Sequence, residues 1–150
     1  MLTDPAGSTR SAPAGLTQLV VDDPRALLGE LAAIVYGDPA SALTLLGVTG
    51  TQGKTTTTRL LEAGLEQAGI RAAVVGTVGT RIAGTDVKTA LTTPEAPDLH
   101  ALFAVMREQQ VQVAALEVSS HALVLGRVDG LVFDVAAFLR ANPDIAAAHI

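Results

Sequence analysis

Between Leu43 and Leu65 the chain changes its hydrophobic period, and no other stretch limits the fold as tightly. Leu43-Thr44-Leu45-Leu46-Gly47-Val48 is a continuous apolar run of strand length, whereas Arg59-Leu60-Leu61-Glu62-Ala63-Gly64-Leu65 recurs at helical spacing. Thr49-Gly50-Thr51-Gln52-Gly53-Lys54-Thr55-Thr56-Thr57-Thr58 joins them. Glycines at 50 and 53 let the backbone turn until successive N–H groups face one anion, Lys54 adds a positive charge, and Thr55 offers a hydroxyl to Mg²⁺. Strand, loop and helix in that order form a phosphate cradle. One departure stands out: the general spacing expects Gly six positions before Lys54, and Val48 stands there with Gly47 one place earlier.

The flanking pattern predicts the remaining elements. Leu27, Leu28, Leu31, Ile34 and Val35 make one apolar face, predicting a helix from Pro24 to the Gly37-Asp38-Pro39 stop. Residues 72–78 read as a second buried strand, and 79–87 as a hairpin turning at Ala83-Gly84-Thr85. A helix follows over 97–110, a strand over 111–118, a short helix over 121–125 and a last strand over 132–138. Alternating strands and helices predict an α/β fold, a mostly parallel sheet flanked by helices, with ligands at the carboxyl ends of the strands. Residues 1–18, rich in Ala, Gly, Ser, Thr and Pro, are expected to be a flexible leader.

Composition removes several classes of function. The net charge is -5 with Lys and Arg scattered, so there is no basic stripe for nucleic acid. Cysteine is absent, which excludes a disulfide framework and zinc-thiolate sites and fits a reducing compartment. No basic segment precedes an apolar core near the N-terminus, and no apolar stretch approaches the roughly 20 residues of a membrane helix. The chain reads as cytoplasmic. At 150 residues and 49% hydrophobic content it fills one ordinary domain, with a core of Ala, Val and Leu because only 3% is aromatic.

Glu117 closes an apolar strand and is followed by Val118-Ser119-Ser120-His121. Mg²⁺ takes one or two protein oxygens together with phosphate and water, and Thr55 with Glu117 meets that need. A solvated strand-end glutamate is the bland alternative. His121 reads equally as a phosphate-orienting group, a carbonyl partner or a polar helix start, and His100 reads as surface. By physics alone Thr92-Thr93-Pro94-Glu95 is a capped turn before a helix, and Arg127 is either an anion clamp or a solvated side chain.

These residues resemble the Mur ligase family of peptidoglycan synthesis. The resemblance is carried by Gly47 to Thr58, by Ala90-Leu91-Thr92-Thr93-Pro94-Glu95-Ala96, and by Leu116-Glu117-Val118-Ser119-Ser120-His121-Ala122-Leu123 with Gly126-Arg127-Val128-Asp129-Gly130. It implies that Gly50, Thr51, Gln52, Gly53, Lys54, Thr55 and Thr56 bind the phosphates of ATP, with Thr55 and Glu117 near Mg²⁺ and Lys54 and Glu117 as the catalytic pair. Thr92, Thr93, Ser119 and Arg127 would contact a UDP-N-acetylmuramoyl dipeptide. In the family, ATP phosphorylates a substrate carboxylate and the amine of an incoming diamino acid, meso-diaminopimelate or L-lysine, attacks it to form an amide. The family's shorter phosphate loop also accounts for Val48.

The resemblance runs from about Leu19 to Phe138, so the chain is expected to be a fragment. Residues 19–42 would be the tail of an N-terminal domain with a linker helix, 43–138 part of the ATP-binding central domain, and 139–150 a divergent tail. There the family carries Thr-Asn-Leu and Asp-His-Leu-Asp segments, and this chain has Leu139-Arg140-Ala141-Asn142-Pro143-Asp144-Ile145-Ala146, with Asp144 and His149 as the positions to align. The family's carbamylated lysine lies further on, and Lys88 is the last lysine here. A non-catalytic nucleotide-binding remnant is therefore the alternative function, and an unrelated phosphate-loop switch or transport ATPase a third. Self-association through an exposed sheet edge is also expected.

Overall fold

The computed structural model describes residues 1–140; Asn142, Pro143, Asp144, Ile145, Ala146 and His149 lie outside the described residues. Near the N-terminus β1 (Leu2–Thr3) leads into a single helical turn, α1 (Pro5–Ser8), and β1 pairs in parallel with β2 (Leu19–Val20). The Asp4 carboxylate accepts from the Gly7 amide and Pro5 occupies the first helical turn, so local capping orders a stretch in which periodicity shows nothing.

Helix α2 (Leu28–Tyr36) starts at Leu28, later than the Pro24 predicted from its apolar face. Asp23 explains the delay: its carboxylate accepts from the amides of Arg25 and Ala26 and fixes a turn of its own. Gly37, at φ 69°, closes the helix in the left-handed conformation. A 3-10 turn over Pro39–Ala42 then delivers the chain to β3 (Thr44–Gly50).

The main sheet grows from that strand. It comprises β3, β4 (Ala72–Gly76), β5 (Gly79–Ile82), β6 (Thr85–Val87), β7 (Val113–Glu117) and β8 (Val135–Leu139), in the spatial order β6-β5-β4-β7-β3-β8. The four strands β4, β7, β3 and β8 run parallel, and the β5–β6 hairpin adds antiparallel to β4. Every residue of β4 is buried, as expected of a strand covered on both faces. It stops at Gly76, short of the predicted Val78, because Thr77 and Val78 turn the chain into the hairpin. Ala83 and Gly84, at the turn between β5 and β6, take positive φ angles of 47° and 82°.

Three helices complete the layers: α3 (Lys54–Gln67), α4 (Ala96–Glu108) and the short α5 (Ser120–Val124). Leu99, Phe103 and Met106 of α4 pack on Leu45, Ala73, Val75, Ala114 and Leu116 of the sheet, and α2 lies against α4. α3 covers β3, β4 and β7 on the opposite face, where the alternate residue Glu117 points. The crossover β3–α3–β4 leaves a slot that β7 fills, so the carboxyl ends of β3 and β7 are neighbours. Ligand sites of open parallel sheets form at such ends.

Candidate nucleotide site

Gly50 ends β3 at φ 126° and Gly53 caps α3 at φ 84°. Gly50 also lies so close to β8 that a Cβ there would overlap the Leu139 carbonyl, which accepts from the Thr51 amide at 3.2 Å. Any larger residue would push the loop off the sheet. Among the described residues no side chain caps α3, and the amides of its first turn have no intrahelical acceptor. A helix N-terminus of this kind, behind a glycine loop, has the dipole and the amide donors that suit an anion. Thr51, Gln52, Gly53 and Thr56 are exposed there, and Lys54 folds back to donate from Nζ to the Gly50 carbonyl at 2.7 Å.

Glu117 faces this loop from the end of β7, with only 1% of its surface exposed. The Thr55 hydroxyl donates to Oε2 at 3.0 Å, uniting the two residues that sequence reasoning paired as metal oxygens. Thr77 donates twice more, from its amide to Oε1 at 3.0 Å and from its hydroxyl to Oε2 at 2.9 Å. Gly76 makes the space, since a Cβ there would overlap the Glu117 carboxylate. Sequence reasoning missed Gly76 and Thr77, although Gly-Thr at the end of a buried strand was the available signal. Among the described residues no cluster of three or more His, Cys, Asp or Glu forms a metal cage. The donor set is one carboxylate and one hydroxyl, which fits Mg²⁺ bound jointly by phosphate and water rather than a cation that needs an all-protein cage.

The predicted substrate residues gather beside Glu117 in different states. Thr93 is buried at 1% exposure and spent within the chain: its hydroxyl donates to the Glu117 carbonyl at 2.7 Å and accepts from the Ser119 amide at 3.2 Å. Ser119 caps α5, accepting from the Ala122 amide at 3.1 Å. Arg127 donates from Nε to Glu95 at 2.8 Å and toward the Thr93 carbonyl at 3.2 Å. Glu95 takes Arg25 on its other oxygen at 2.6 Å. Thr92 is half-buried with its hydroxyl 3.2 Å from that of Thr77, while His121 is exposed on α5 and forms no side-chain hydrogen bond among the described residues.

His100 corrects a sequence expectation. Read as surface, it is only 2% exposed, because α2 and the 3-10 turn cover α4 on a side its periodicity does not reveal. Its ring meets Phe103 edge to face at 5.8 Å, and Nδ1 has no hydrogen-bond partner among the described residues. Burial lowers its pKa below the ordinary value, and the charge of Asp38 offsets part of that.

A glycine loop between strand and helix, faced by a buried carboxylate on the adjacent strand, defines an α/β phosphate-loop domain. Residues 48–149 match the Mur ligase middle domain, and the chain belongs to the Mur ligase family. It is 56% identical over 149 residues to a UDP-N-acetylmuramoyl-L-alanyl-D-glutamate--2,6-diaminopimelate ligase of Streptomyces coelicolor, covering 99% of this chain and 29% of that protein. A solved structure bearing the same enzyme name superimposes with a TM-score of 0.68 at 28% identity, over 87% of this chain and 27% of that one. E. coli FolC in complex with DHPP and ADP gives 0.55 at 25% identity, over 76% and 32%. The chain thus spans less than a third of the length of the curated relative, at 29%.

Proposed function

We propose that this chain is the phosphate-binding part of an ATP-dependent ligase that joins a diamino acid to UDP-N-acetylmuramoyl-L-alanyl-D-glutamate in the cytoplasm. The observation that carries the reading is the Thr55–Glu117 hydrogen bond of 3.0 Å, which closes the open N-terminus of α3 against the end of β7. The relative's name favours 2,6-diaminopimelate as the incoming amino acid. Among the described residues no helix is long and apolar enough to cross a membrane.

When bound, ATP supplies the phosphoryl group that activates a carboxylate, and Mg²⁺ offsets its charge. The chain's own residues hold and orient. Amides from Gln52 to Thr56 would cradle phosphate oxygens while Gly50 and Thr51, braced on β8, shape the loop; Lys54 would exchange the Gly50 carbonyl for phosphate, and Thr55 with Glu117 would hold the cation. Thr92, Ser119 and Arg127, on the neighbouring rim, would contact the UDP-linked dipeptide, with Thr93 fixing the rim from beneath. Calorimetric titration with Mg²⁺-ATP, wild type against Lys54→Ala, tests the reading. Loss of one charged donor to phosphate is expected to cost on the order of 2 kcal/mol, roughly thirtyfold in affinity. Equal affinity would remove the claim.

A further inference from the structure

Thr77 holds a place that neither the phosphate loop nor the Thr92 turn explains by itself. Its amide and hydroxyl both donate to Glu117, one to each carboxylate oxygen. Gly76 leaves the volume that the carboxylate fills, so the Gly-Thr pair as a unit fixes where Glu117 points. An ionised carboxylate only accepts, and a hydroxyl has one proton. The proton of Thr77 therefore goes to Glu117, and across the 3.2 Å contact Thr92 must donate to Thr77. Thr55 likewise spends its proton on Glu117 and keeps its lone pairs for a cation. One directed chain, Thr92 to Thr77 to Glu117, met from the other side by Thr55, joins the two rims of the site.

We propose that Thr77 is a positioning residue that aims the Glu117 carboxylate at the nucleotide-bound cation and ties that carboxylate to the Thr92 turn. The inference rests on the nucleotide reading above and adds to it a residue outside the glycine loop. Removing partners that orient a metal's ligands commonly costs about 10–100-fold in metal affinity. Thr77 is exposed, so its hydroxyl can be replaced without opening the core.

The test is calorimetric titration of the 150-residue chain with ATP, with Mg²⁺ and in EDTA, for wild type, Thr77→Val and Thr77→Ser. Thr77→Val is expected to lose about tenfold of the affinity that Mg²⁺ confers while binding metal-free ATP as wild type does, and Thr77→Ser to recover it. A valine variant with wild-type Mg²⁺-ATP affinity overturns the inference, and so does an equal loss in EDTA, which would mark a packing role. Should wild type bind no ATP at all, the nucleotide reading falls and this inference with it.

Discussion

At the scale of single residues, the site depends on what Gly76 lacks. Gly76→Ala puts a methyl into the Glu117 carboxylate, and overpacking of this kind costs about 1–3 kcal/mol. The loss should appear as a lower urea midpoint together with weaker Mg²⁺-ATP binding. Thr93→Val should cost about 1–3 kcal/mol in the same unfolding assay, because it strands the Ser119 amide beneath the rim. His100 makes stability depend on pH. With its folded pKa below the ordinary value of about 6.5, the unfolded chain takes up the proton first. Its contribution is complete above about pH 6.5 and is lost as pH falls toward the lowered folded value. Melting at pH 7.5 and 5.5 should show a larger drop for wild type than for His100→Leu; parallel drops would count against it. None of this could be read from the neighbours of His100 in sequence, since Leu99 and Phe103 mark one buried face of α4 and nothing local announces a second cover.

At the scale of elements, the rim is a knot of short pieces tied by side chains. Ser119 starts α5, and Ser119→Ala should lower stability by about 1 kcal/mol through loss of that cap. Glu95 binds Arg25 ahead of α2 and Arg127 beyond α5, so it joins three segments distant in the chain. A double-mutant cycle on Glu95 and Arg127 should give a coupling of about 1 kcal/mol that shrinks with added salt. Such ties are long-range, which is why local sequence does not decide between clamp and solvent for Arg127. β3, the loop and α3 were legible because a continuous apolar run gives way to helical spacing across glycines. The start of α2 was not: Asp23 competes for the backbone at the point where Pro24 would open the helix.

At the scale of the whole molecule, β8 is, among the described residues, both an edge of the sheet and a wall of the glycine loop. Val135 and Phe138 stand exposed along it, with Val132 exposed just before it, and an apolar edge of this kind invites pairing between copies. Sedimentation velocity should show association rising with concentration, reduced by Phe138→Lys; a strictly monomeric wild-type chain would contradict this. The parallel order of β4, β7, β3 and β8 follows the alternation of strands and helices, yet no pattern within Val135–Leu139 says that Leu139 will brace Gly50 and Thr51. That brace makes the outermost strand an occupancy gauge. A ligand that stiffens the loop must also quiet the strand it leans on, so ATP should slow amide hydrogen exchange along Val135–Leu139.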